Sequence, residues 1–197
     1  MSGFRCGMAA VIGRPNVGKS TLINAIVGRK VSIVTAKPQT TRHRILAVHT
    51  SAESQVIFVD TPGLHRNAGK AMNRLMNRTA ANALADADVI LFVSDATRWT
   101  AEDDDVLQRL RKIRAPVVAV LNKIDRVRPR EKLLDTIALM SARRDFAEII
   151  PVSALEQDNL DALLAVLPGF LPESPPLFPD DMHTDRSREF HIAELIR

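Results

Sequence analysis

The chain has a single cysteine, Cys6, so an internal disulfide is excluded and a reducing cytosol is the natural setting. Cys6 reads as a small apolar residue at the head of a strand rather than as a functional thiol. No apolar run reaches the ~18 residues needed to cross a bilayer. The first residues run straight into a glycine-bearing loop, without the pattern of a removable signal. A soluble, intracellular protein is the expectation. The one tryptophan, Trp99, stands in a polar context and offers no stacking platform for nucleic acid. There is no internal repeat, and no low-complexity tract outside one proline-rich stretch. A formal charge of +4 permits an anionic partner without arguing for one. With 197 residues and 46% apolar content, the chain suits one domain and the start of a second.

What is present begins with Gly13-Arg14-Pro15-Asn16-Val17-Gly18-Lys19-Ser20, which fits G-x-x-x-x-G-K-[ST] and is followed by Thr21. Glycines let such a loop turn tightly, so that successive N–H groups point inward at phosphate oxygens. Lys19 adds a charge that can reach the β- and γ-phosphates, and Ser20 offers a hydroxyl to magnesium. The loop follows the apolar run Met8 to Ile12 and precedes the helix-like Thr21 to Val27, the strand–loop–helix setting the motif requires.

Five later apolar, β-branched segments follow: Ile45–Val48, Val56–Val59, Val89–Val93, Val117–Leu121 and Ile149–Val152. Several are continuous rather than alternating, as expected of strands buried on both faces of a parallel sheet. Between them lie helical patterns: Met72 to Leu84, then Val106, Leu110 and Ile113, then Leu133, Ile137 and Met140, then Leu160, Leu163, Leu164 and Leu167. Asp158 or Asn159 is placed to cap the last of these, and Pro168 to disturb or end it. The alternation predicts an α/β fold with a doubly wound, mostly parallel six-stranded sheet and helices on both faces. Such sheets bind ligands beyond the carboxyl ends of their strands. Gly13, Asp60, Asn122 and Ser153 each follow a strand and so emerge on that one edge.

Asp60-Thr61-Pro62-Gly63 has the composition of a turn, but after a phosphate loop and a buried strand it reads as a magnesium site. Asp60 would hold the ion through a water, and the Gly63 N–H would sense a γ-phosphate. In Asn122-Lys123-Ile124-Asp125, the Asp125 carboxylate can accept guanine's ring N–H and exocyclic amine, donors that adenine does not present in that geometry. Lys123 could lie along the base and Asn122 could brace the phosphate loop. Ser153-Ala154-Leu155 would bring a backbone N–H to the guanine oxygen. Glu102 to Asp105 sit where a helix begins, and Arg126, Arg128 and Arg130 flank Pro129 in a solvated loop.

These motifs resemble those of the translation-factor-related P-loop GTPases, over about Gly7 to Leu171. The loop itself, the segment Pro38-Gln39-Thr40-Thr41-Arg42-His43-Arg44 and the ending Leu177 to Ser187 are similar to the Era-type ribosome-assembly GTPases. The resemblance implies a P-loop GTPase fold, a GTP/GDP cofactor with Mg2+, and Thr41 joining Ser20 and Asp60 at the metal. It also implies K+ beside the phosphates through Asn16, which could equally be a turn residue. The residue after Gly63 is Leu64, which cannot orient water as the glutamine of Ras-like proteins does. His43 and His65 read as loop residues, so catalysis falls to Lys19, Thr41, Gly63 and Asn16 and should be slow. Residues 1–171 are then the GTP-binding domain and 172–182, with Pro172, Pro175, Pro176 and Pro179, an extended connection. Residues 183–197 begin a KH-type domain that would carry the contact with ribosomal RNA of the small subunit, unless they fold back as a C-terminal helix. No Gly-x-x-Gly loop follows the connection. The resemblance further implies a cytoplasmic monomer and allows peripheral attachment to the inner membrane. The alternatives are a non-catalytic GTP-gated interaction module, or a related P-loop GTPase acting on another RNA or at the membrane, and Asp125 opposes an ATPase or kinase.

Overall fold

The computed structural model describes residues 3–29, 31, 45–60 and 84–184. Thr41 with its segment 38–44, the stretch Thr61 to His65, all but the last residue of the helix expected over 72–84, and the segment 187–197 lie outside these residues.

Six strands, β1 (Arg5–Ile12), β2 (Ile45–Thr50), β3 (Ser54–Asp60), β4 (Val89–Asp95), β5 (Val117–Asn122) and β6 (Glu148–Val152), form one sheet in the order β2-β3-β1-β4-β5-β6. Every pairing is parallel except that of β2 with β3. The continuous apolar runs are explained by burial on both faces. Along β1, Ala9 and Val11 join one core cluster while Ala10 and Ile12 join the other. Val118 and Val120 of β5 separate from Val117, Ala119 and Leu121 in the same way. The first cluster is closed by α1 (Lys19–Val27) and α4 (Leu160–Val166), the second by α2 (Ala101–Leu110) and α3 (Lys132–Ser141). This is the doubly wound arrangement predicted from the sequence.

Local chemistry sets the helix ends. Gly28 ends α1 in the left-handed conformation at φ 69°, where a Cβ is unfavourable. Thr100 and Asp103 form a capping box at the start of α2, inside the predicted acidic stretch. Two expectations are corrected. Asn159 occupies the N-cap of α4 without capping it; its Nδ2 donates 2.8 Å to the Pro151 carbonyl, because the left-handed backbone at φ 60° turns the side chain back toward β6. Asp158 instead exchanges two backbone hydrogen bonds with Ser153. Trp99 is not in a polar setting alone. It meets Phe92 edge-on at 6.0 Å, and Arg143 covers its ring at 4.4 Å.

All four motif-bearing strands end on one edge; residues 172–178 pass the opposite edge, and His183 and Thr184 run alongside the outer strand β2. The Pro172 carbonyl accepts from Cys6 N at 3.1 Å, and the His183 carbonyl from Val48 N at 3.0 Å. Gln55, fully buried in β3, binds this segment with both ends of its carboxamide. Oε1 accepts the Leu177 and Phe178 amides, each at 2.9 Å, and Nε2 donates 2.8 Å to the Phe178 carbonyl. Gln55→Ala leaves those three backbone groups without their partner. The unfolding free energy should fall by about 1–3 kcal/mol, measured by urea denaturation, with faster proteolytic cleavage within 172–184.

Candidate nucleotide-binding site

The phosphate loop leaves β1 at Gly13, where a Cβ would collide with the Val93 carbonyl of β4. Glycine is therefore required for the loop to pass that close to its neighbour. Asn16 and Gly18 both have positive φ, 60° and 98°, and a Cβ at Gly18 would overlap Asn122 Nδ2. Lys19, the first residue of α1, is buried, and its Nζ donates to the carbonyls of Gly13 at 3.0 Å and Arg14 at 2.8 Å. Burial lowers its pKa to about 8, although the nearby Asp60 carboxylate opposes the shift. The next residue, Ser20, donates 3.0 Å from Oγ to Asp60 Oδ2. The end of β3 and the start of α1 thus meet through the two groups expected at magnesium.

Asn122, at the end of β5, is almost wholly buried and uses its carboxamide in three directions. Nδ2 donates 2.8 Å to the Val17 carbonyl in the phosphate loop. Oδ1 accepts Lys123 N at 2.8 Å and Ala154 N at 3.0 Å. Lys123 takes a left-handed backbone, and its ammonium bridges the Asn16 carbonyl at 2.6 Å and Asp95 Oδ2 at 2.7 Å. Asp95, the last residue of β4, had no role in the sequence reading. Burial alone would raise its pKa, but hydrogen bonds from Lys123 and Thr97 outweigh that and hold it below the usual carboxylate value. Asp125 lies one residue into a 3-10 turn, Ile124–Arg126, and its Oδ1 accepts Ser153 Oγ at 2.6 Å. Ile124 is buried under the turn, and Leu155 is 64% exposed at the mouth of the site.

The residues present fit magnesium and a nucleotide. Magnesium is usually held by one or two carboxylates together with substrate phosphates rather than by a closed protein cage. A hydroxyl and a buried carboxylate beside a phosphate loop are such a donor set. The predicted Gly13 to Thr21, Asp60, Asn122 to Asp125 and Ser153 to Leu155 all gather at this edge. Thr41, Thr61, Pro62, Gly63 and Leu64 lie outside the described residues. Sequence reasoning missed Asp95 and Asp103. The only local signal was Thr100-x-x-Asp103, a capping-box pattern that gives no hint of the loop it faces.

This geometry defines a P-loop GTPase domain. The family model described as "50S ribosome-binding GTPase" matches residues 8–123, and the chain belongs to that family. Among its relatives, GTPase Era of Marinobacter nauticus is 51% identical over 193 residues, 98% of this chain and 63% of the relative. GTPase Era of Pseudomonas aeruginosa is 50% identical over 196 residues, 100% of this chain and 64% of the relative. A crystal structure of Era in complex with MgGDPNP and nucleotides 1506–1542 of 16S ribosomal RNA matches with a TM-score of 0.92. That match has 41% identity and covers 98% of this chain and 66% of that one. An Aquifex aeolicus Era variant bound to GDP·AlF4− gives a TM-score of 0.91 at 41% identity, over 98% of this chain and 66% of its own. The chain thus spans 63–64% of the length of these curated relatives, and the Era-type resemblance read from its motifs holds.

The Lys19 shift has a signed consequence. Bound phosphate favours the ammonium, whereas burial in the free loop favours the neutral amine above about pH 8. GDP binding should therefore take up a proton above that pH. Affinity is complete below it and falls by up to about tenfold per pH unit as pH rises through it. Calorimetric titrations near pH 8.5 in two buffers of different ionisation heat should reveal the uptake. Equal heats after buffer correction for zero protons would contradict it.

Proposed function

We propose that this chain is the GTP-hydrolysing switch region of a cytoplasmic, Era-type GTPase acting in small ribosomal subunit assembly. The observation that carries this reading is the Asn122 joint. It ties the phosphate loop to the base-reading segments around Asp125 and Ser153, so base and phosphates are recognised by one braced unit. Asp125, held by Ser153, would accept guanine's two donors, and the loop amides would cradle the phosphates. Lys19 would exchange its two loop carbonyls for phosphate oxygens. Ser20 and Asp60 would hold magnesium, with Thr41 joining them by family resemblance. The ion, when bound, neutralises charge on the β- and γ-phosphate oxygens. With Leu64 in place of a water-orienting glutamine, hydrolysis rests on Lys19, the Gly63 amide and other loop donors, and a potassium ion beside Asn16. Asn16 supports this by its exposed position at the loop's left-handed turn.

The family is described by the 50S particle, whereas the Era complex contains 16S ribosomal RNA. We favour the small subunit, because the Era relatives share about half of this chain's residues over nearly its whole length, whereas the family model matches residues 8–123. The RNA contact is assigned to a KH-type domain beginning at 183–197.

GTP hydrolysis with magnesium tests the nucleotide reading. Asp125→Asn should weaken GTP by about 100-fold while improving xanthine nucleotides, whose 2-oxo group accepts from the amide. Exchanging potassium for sodium should slow the wild type and leave Asn16→Ala, already slow, unaffected. No phosphate release in single turnover would favour a non-catalytic GTP-gated module, and equal use of ATP would favour another nucleotide class. The same chain should bind GDP tightly and 16S RNA weakly in a gel-shift assay; tight, specific RNA binding would place the contact in these residues instead.

A further inference from the structure

Arg14 sits inside the phosphate loop, where a guanidinium is ordinarily read as a phosphate ligand. Here it turns outward. Its Nε donates 2.9 Å to Asp103 Oδ2 and Nη2 donates 3.1 Å to the Arg98 carbonyl. The two side chains are 12% and 0% exposed. The same Asp103 oxygen also accepts Thr100 N at 2.9 Å and Thr100 Oγ1 at 3.0 Å. Its other oxygen, Oδ1, is buried with no hydrogen-bond partner among the described residues.

A capping box needs a hydrogen-bond acceptor at this position, but not a carboxylate removed from water. Burying the charge is unfavourable unless a counter-ion is held beside it, and Arg14 is that ion. The Arg14 backbone carbonyl is in turn one of the two acceptors of Lys19 Nζ. Fixing the Arg14 side chain to α2 therefore fixes the peptide against which Lys19 rests. Two residues on, the Asn16 carbonyl is held by Lys123, itself paired with Asp95. The two acids flank the connection from β4 to α2, Asp95 ending the strand and Asp103 lying in the first turn of the helix, and neither belongs to the recognised nucleotide motifs.

We infer that Asp103 is a positioning residue for the phosphate loop, acting through Arg14 to hold the loop in its nucleotide-binding shape. The inference rests on the reading of this loop as a GTP site. It assigns Arg14 a mechanical role and removes it from the phosphate ligands that depend on side-chain charge.

The test uses the whole chain and a fluorescent GDP analogue, following dissociation in wild type, Asp103→Asn, Arg14→Ala and the double variant. Asp103→Asn keeps an acceptor for the Thr100 amide and so preserves the cap while removing the ion pair. Each single variant should release GDP about tenfold faster than wild type, with association little changed. The double variant should be no faster than Arg14→Ala, because both changes break one link. Arg14→Lys, which retains one donor, should recover part of the wild-type dwell time. A helix-capping role alone would leave Asp103→Asn releasing GDP at the wild-type rate, because the cap acceptor is kept, and that result would overturn the inference. So would effects that multiply in the double variant. If Asp103→Asn fails to fold, Arg14→Ala against Arg14→Lys decides: equal release rates from both would be fatal. Wild-type chain that does not bind GDP at all would sink the GTP reading itself. Wild-type binding with unaltered release from the variants would sink only the role of Asp103.

Discussion

The nucleotide site depends on one buried carboxamide. Asn122 stands at the carboxyl end of β5 and touches the phosphate loop through Val17 and the segment after β6 through Ala154. A buried amide left with any of these bonds unmade would be penalised by about 1–3 kcal/mol, so the three segments hold a common geometry. Gly18 belongs to the same constraint. Its missing side chain makes room for Asn122 Nδ2, and its φ of 98° directs the loop into α1.

Around this joint, charge is arranged in two rings. The inner ring, Lys19, Ser20 and Asp60, lies where phosphate and metal chemistry is expected. The outer ring consists of Arg14 with Asp103 and Lys123 with Asp95, which grip the loop at residues 14 and 16. Both outer pairs are largely shielded from solvent, so salt screens them less than it would surface ion pairs. The opposite edge of the sheet carries a different device. Gln55 is the second residue of the strand that ends in Asp60, and it fastens the backbone of Leu177 and Phe178. One strand therefore carries at one end the carboxylate proposed for magnesium and at the other a clamp on a segment remote in sequence.

Much of this was legible beforehand, for identifiable reasons. A phosphate loop needs glycine where the backbone passes another strand and where φ is positive, so its spacing is written into consecutive residues. Strands buried on both faces produce continuous apolar runs, and a parallel sheet sends every strand end with chemistry to the same edge. Asp103, Asp95 and Gln55 were not legible. Each acts through a partner far along the chain, and an isolated acid or amide in a sequence carries no mark of the distant backbone it will meet. Asn159 misled because its residue type suits a cap, while its left-handed backbone sends the side chain elsewhere. Trp99 misled because its ring partners come from other elements, Phe92 in β4 and the Arg143 guanidinium beyond α3.

The sequence by itself determined the class of fold and the phosphate loop, and it carries the motif on which the proposed guanine reading rests, since all three depend on local spacing or on strand polarity. Only the tertiary structure decided which way Arg14 points, what Lys123 holds, and that residues 172–184 lie along the sheet. Those outcomes turn on burial: a guanidinium, an ammonium or a carboxamide removed from water must find its partner wherever the fold supplies one, and only packing sets that place.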